Sequence, residues 1–284
     1  MPQHSRLKIA LICLACAASG LSADESRTLN FSLLEAARKG QSELVESRLL
    51  EGASISTRDR FGNSALIYAA RGAHLETVRI LVESGADVHQ ANVNGNSPLF
   101  EAAGSGSIEL VRFLLLQGAD PNAVSMKNVS PLANAVFNKH GDIAGLLLEV
   151  GARPDIVDST GKSAAVYAAA NGETESLARI LDLGEDSEAL VDTRYGHNLT
   201  LLMWAAGYGN RGAVEMLIGR GAASDLADDR GKTALMMAAE NGHAEVVSLL
   251  LESGVDAAIR DHDGHTAGEL AGKAGQPEIA ALLN

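Results

Sequence analysis

Apolar and polar positions alternate along this chain in a helix, turn, helix rhythm that is clearest between Asp228 and Arg260, in DDRGKTALMMAAENGHAEVVSLLLESGVDAAIR. Gly231 suits the positive φ of a tight turn, Thr233 stands where a hydroxyl caps a short helix running through Ala238 and Ala239, and Gly242 suits the left-handed residue that ends it. Val246, Val247, Leu249, Leu250 and Leu251 then give a second helix an apolar face, which Gly254 stops. The paired alanines let the two backbones approach closely. Neither helix can bury its face by itself, so the stretch is stable only as one member of a stack.

The rest of the chain supplies the other members. The capping Ser or Thr recurs at Ser64, Ser97, Ser130, Ser163, Thr200, Thr233 and Thr266, at spacings of 33, 33, 33, 37, 33 and 33. The glycine that closes the second helix keeps step at Gly52, Gly85, Gly118, Gly151, Gly184, Gly221 and Gly254, which confines the irregular interval of 37 to the loop between Gly184 and Thr200. Ser97-Pro98 and Ser130-Pro131 place proline at the first helical position, where its missing N–H costs nothing. Asn128 and Asn198 stand where other copies have glycine, and asparagine is the next best residue for a left-handed turn.

This pattern resembles the ankyrin repeat, which runs roughly D-x-x-G-x-T-P-L-H-x-A-A-x-x-G-H, then a V-x-x-L-L helix and G-A-D. The resemblance implies an all-α solenoid of stacked helix-turn-helix units with short finger hairpins. Residues 24–58, with Leu33, Leu34, Ala36, Ala37 and then Leu44, Val45, Leu49 and Leu50, read as an N-terminal capping unit in which Ser47 and Arg48 solvate the outer face. Six full units occupy 59–260, in one array with no linker. Residues 261–284 read as a truncated C-terminal cap, looser because Gly268 replaces the leucine kept at Leu66, Leu99, Leu132, Leu202 and Leu235. The four extra residues fall in a longer finger over 185–199, where Glu185, Asp186, Glu188 and Asp192 would present acid and Tyr195 and His197 a flatter surface; the alternative is a tolerated surface bulge, since a longer loop adds little closure entropy.

Residues 1–23 read as a secretory signal peptide: His4, Arg6 and Lys8, an apolar run from Ile9 to Ala18, then small residues up to Ala23, with cleavage expected near Ala23. The run is too short to span a bilayer. A lipid-anchored alternative would use Cys16, although Cys13 occupies the place where such a signal normally has leucine. Both cysteines lie in this segment, so the mature chain would have none, which suits an oxidising compartment. The expectation is export to a bacterial periplasm, with secretion as the alternative, and the sequons at Asn30, Asn128 and Asn198 read as accidental.

Charge and candidate chemistry narrow the function. The formal charge of -13 would become -15 on loss of Arg6 and Lys8, which argues against nucleic acid and leaves a basic protein as one attractive partner. Gly207 to Gly212 satisfies G-x-G-x-x-G but falls between two helices instead of after a strand, so it is not a nucleotide loop. Asp261, His262, Asp263 and His265 cluster on one hairpin with no further group to complete a metal site. Catalytic, metal and cofactor sites are all read as none: no nucleophile elbow surrounds any Ser, His or Asp.

Binding is the remaining class. On each first helix the residue two before the second alanine and the two after it lie at i, i+3 and i+4 and share a face. The resemblance assigns that face to the concave surface, giving Tyr68 and Arg71, then Glu101, then Asn134, Phe137 and Asn138. Further along it gives Tyr167 and Asn171, Trp204 and Tyr208, and Met237, Glu240 and Asn241. Seven of the ten aromatic residues, Phe61, Tyr68, Phe137, Tyr167, Tyr195, Trp204 and Tyr208, fall on this face or the adjacent fingers, and aromatic anchors dominate protein interfaces. The competing reading is that Tyr68, Tyr167 and Trp204, all at one repeat position, stack between repeats. The expected function is a non-catalytic protein-binding module, monomeric and without stable membrane insertion. An inhibitor or immunity-type protein that masks a basic secreted or periplasmic enzyme is the alternative.

Overall fold

The computed structural model describes residues 22–183 and 190–283. Among them the regular structure is helical, with isolated β-bridges only. None of these helices is long and apolar enough to cross a membrane. The signal-peptide reading lies outside the described residues except for Ser22 and Ala23. So do Glu185, Asp186 and Glu188 of the longer finger.

The chain divides into two compact units, 1–152 and 153–284, with the division falling between two repeats. In the first, the helices are α1 (Ala23–Arg38), α2 (Ser42–Leu50), α3 (Ala65–Arg71), α4 (Leu75–Glu83), α5 (Pro98–Ser105), α6 (Ile108–Leu116), α7 (Pro131–Phe137) and α8 (Gly141–Glu149). The odd-numbered helices pack in one row and the even-numbered ones in a second, each pair closed by its own turn. In the second unit α9 (Ala164–Asn171), α10 (Thr174–Leu183), α11 (Leu201–Gly207), α12 (Arg211–Gly219), α13 (Ala234–Glu240), α14 (Ala244–Glu252), α15 (Ala267–Lys273) and α16 (Pro277–Leu282) repeat the scheme.

The expected caps form. Ser64, Ser97, Ser130, Ser163, Thr200, Thr233 and Thr266 each sit in extended backbone and accept from the N–H three residues on. That contact satisfies one of the N–H groups a helix start leaves unpaired. Asn128 and Asn198 take positive φ, at 59° each. The alanine pairs, including Ala69 and Ala70, Ala168 and Ala169, and Ala205 and Ala206, are buried, as are Leu81, Leu114 and Leu147 of the second row. Burial of each such leucine is worth about 1.5–3 kcal/mol. In α16 only Ile279 is buried.

Two turn devices join neighbouring repeats within each unit. Asp59, Asn92, Asp158, Asp228 and Asp261 each use one side-chain oxygen to accept two backbone N–H groups, two and four residues on, which builds the finger as an Asx turn. Adjacent fingers then bond to each other, Val93 N–H to Phe61 C=O at 3.0 Å and His262 N–H to Arg230 C=O at 3.0 Å. At the start of three second helices, His74, His140 and His243 place Nε2 at 3.2, 3.2 and 3.0 Å from the carbonyls of Arg38, Gly104 and Gly207 one repeat back.

Candidate partner-binding surface

The first-helix face contains residues of two kinds. Many of its polar groups are committed inside the protein. The Tyr68 hydroxyl donates to Asp59 Oδ2 at 2.6 Å, and the Tyr167 hydroxyl donates to Asp158 Oδ2 at 2.5 Å. Burial pushes both tyrosines above the ordinary phenol range, and the carboxylate beside each adds to it. Arg71 donates to both oxygens of Glu101, at 3.0 and 2.8 Å, and Asn96 donates to the same carboxylate at 2.9 Å. Asn134 donates to the Phe100 carbonyl one repeat back, and Asn138 donates to Asn134. Glu240 accepts from Lys232 at 2.5 Å. Asn171, at the end of α9, is half-buried.

The second kind is apolar and exposed. Phe61 on the first finger is 50 % exposed beneath the Arg60 guanidinium, 4.6 Å from its ring centre. Phe137 at the end of α7 and Tyr208 just past α11 are each 57 % exposed. Tyr208 stacks on Trp204, with ring centres 6.0 Å apart and planes 21° apart. The Lys162 ammonium lies 5.2 Å from the Trp204 ring centre and 5.8 Å from that of Tyr167. Beyond Trp204 a groove opens, lined by Met203, Tyr208, Arg230, Lys232 and Asn241.

Three expectations change. Met237, in the register of Trp204, is buried at 9 % exposure and only lines the groove beyond Trp204. Tyr195 is half-buried, and burial raises its hydroxyl above the ordinary range. It occupies the register of the turn aspartates and packs toward Ser163 one repeat back. The described end of the longer finger is likewise tied down: Asp192 accepts from Ala223 N–H, Arg194 donates to the Asn198 and Ala227 carbonyls, and Asn198 donates to Asp229. His197, by contrast, is well exposed.

Spacing would have revealed the Asp–Tyr pairs, since Asp59 and Tyr68 stand nine apart and so do Asp158 and Tyr167. The position of Lys162 over two rings had no local signal. Among exposed apolar residues, Phe31 on α1, Leu116 at the end of α6 and Met126 on a finger were also missed.

Asp261, Asp263 and His265 do approach one another within 4.8 Å. One Asp261 oxygen already accepts the Asp263 and His265 N–H groups, as the equivalent oxygen does at Asp59, Asp158 and Asp228. Lys273 also brings its ammonium against His265 Nε2. The cluster is built on the repeating turn, with the Lys273 ammonium against His265.

Paired short helices in two rows, serine or threonine caps at a fixed period and bonded fingers define a helical repeat protein. The family model for ankyrin repeats (3 copies) matches residues 33–125, 132–225 and 202–284. The chain belongs to the ankyrin-repeat family. No curated protein matches it. Ankyrin repeats are in general modules for protein–protein interaction.

Proposed function

We propose that this protein carries out no reaction and binds another protein through the first-helix face and the adjacent fingers. The observation that carries this reading is the exposure of Phe137 and Tyr208 at the ends of two first helices, in a chain with only ten aromatic residues. Large rings left half in water by the fold supply anchor area at an interface. Tyr208→Ala is expected to weaken binding of the captured partner more than about tenfold, because truncating an anchor commonly costs at least about 2 kcal/mol. Its melting temperature should stay within about 2 °C of the parent, since exposed substitutions usually change stability by less than about 0.5 kcal/mol. Undiminished binding removes this copy from the interface.

The inhibitor reading has its own support: residues 153–284 hold 21 Asp and Glu against 10 Lys and Arg. Such a surface steers a basic partner and makes association fall with salt. Export also belongs to the proposal, to a periplasm or as a secreted or Cys16-anchored form. N-terminal sequencing and mass measurement of the native protein test it: a chain starting near Asp24 supports cleavage, a lipid on Cys16 selects the anchored form, and a retained Met1 in the cytoplasm rejects export.

A further inference from the structure

The copy that begins at Tyr195 departs from an arrangement that two other copies share. In the copies from Asp59 and Asp158, the turn carboxylate receives the hydroxyl of the tyrosine nine residues on. Here both members differ: Tyr195 replaces the aspartate and Trp204 replaces the tyrosine. The Trp204 Nε1 is shielded from water and has no hydrogen-bond partner. An indole N–H is a donor only, so it lacks an acceptor.

The cation beside it, Lys162, has no ion-pair partner among the described residues. Lys232, in the same register as Lys162 two copies later, is bridged to Glu240, eight residues on. The residue eight on from Lys162 is Ala170. Among the described residues no carboxylate lies within 4.0 Å of the Lys162 ammonium, which instead faces the Tyr167 and Trp204 rings. The other charges of the neighbouring groove are internally matched, Arg230 with Asp228 and Lys232 with Glu240. A lone ammonium, a donor without an acceptor and the exposed Tyr208 ring therefore converge on one patch.

We propose that this patch takes a carboxylate from the partner protein, an Asp or Glu side chain that pairs with Lys162, followed by an apolar residue that lies on the Tyr208 ring. The inference rests on the protein-binding reading and specifies its chemistry. A carboxylate answers the lysine charge and offers the acceptor that the indole lacks, through charge-assisted hydrogen bonds stronger than neutral ones. Residues 153–284 are strongly acidic as a whole, so they repel a segment rich in acid. The favoured segment has a single acid in an otherwise apolar or basic setting. Because the indole N–H is shielded, an acceptor that reaches it moves the ring.

That movement is readable, because Trp204 is the one tryptophan of the chain. The full protein is titrated with acetyl-Lys-Leu-Glu-Leu-Lys-amide, with its Glu→Gln counterpart and with its Glu→Lys counterpart, following tryptophan emission. The expected result is a saturable change with the Glu peptide, weaker by about tenfold or more with the Gln peptide and absent with the Lys peptide. Lys162→Ala should abolish the Glu-over-Gln preference while leaving the thermal transition within about 2 °C, and Lys162→Glu should reverse it toward the Lys peptide. Equal affinity for the Glu and Gln peptides overturns the proposal, as does a preference that survives Lys162→Ala, or no emission change with any peptide at millimolar concentration. A captured partner that is lost on Tyr208→Ala yet bound equally by Lys162→Glu overturns the carboxylate site while leaving protein binding intact.

Discussion

The Tyr167 hydroxyl donates to Asp158 across nine residues, and the same aspartate uses its other oxygen to hold the backbone N–H groups of Thr160 and Lys162. One carboxylate thus ties a finger to the helix that follows it. Tyr68 and Asp59 reproduce the arrangement.

Tyr167→Phe removes one donor and leaves the turn intact, so it should cost about 1.5–3 kcal/mol, the range for a hydrogen bond to a charged group. Asp158→Ala should cost about 1–3 kcal/mol more, because it also strips the acceptor from two backbone donors in a buried turn. Urea midpoints of the two variants, read against Tyr208→Phe on the exposed face, check the order. Equal costs for Tyr167→Phe and Asp158→Ala would mean that the turn does not depend on the carboxylate.

The same pair should bend the pH dependence of stability. Burial pushes the Asp158 carboxyl up, but hydrogen bonds from the Tyr167 and Thr160 hydroxyls and from backbone N–H groups outweigh it, and the net position is below the ordinary value; Asp59 behaves alike. A carboxyl held low in the folded state stabilises above its unfolded pKa, near about 3.9, and that contribution disappears as pH falls through the folded value. Asp158→Asn keeps the turn acceptor, as Asn92 does in another copy, but cannot titrate. Its stability deficit should be constant from pH 7 to about 5 and shrink below about 4. Tyr167 gives the opposite limb: its raised pKa stabilises below about 10, and that part is lost as pH climbs beyond it. Thermal scans across this range, with Tyr167→Phe as reference, test both limbs.

Finger stacking should be separable from turn strain. Gly95 and Gly264 both take positive φ, 75° and 83°. A Cβ on Gly95 would lie 2.7 Å from the backbone nitrogen of Met126 on the next finger, whereas one on Gly264 meets nothing within 4 Å. Alanine costs about 1–2 kcal/mol in the left-handed region at either place. Gly95→Ala should cost at least about 1 kcal/mol beyond that, since it must disturb the Met126 N–H to Asn94 C=O bond as well. Matching denaturation midpoints for the two variants would show that the fingers give way without loss.

The capping hydroxyls from Ser64 to Thr266, the left-handed turns at Asn128 and Asn198 and the buried alanine pairs were determined by the sequence itself, because each depends on residues within one helical turn and recurs with the period. Much of the candidate surface was readable for the same reason: helical spacing put Tyr208 and Phe137 on the outer side of the first helices, where they are exposed. Tertiary structure decided what the spacing could not. Met237 shares the register of Trp204 yet is buried, and Tyr195 packs inward despite its place in a finger. Lys162 meets Trp204 across 42 positions of sequence, and the indole loses the acceptor that Tyr68 and Tyr167 find. These outcomes depend on which side chain the neighbouring repeat places against each position. A repeat's own pattern sets the direction of a side chain, and only the packed neighbour sets whether that direction ends in water, in a ring or in a carboxylate.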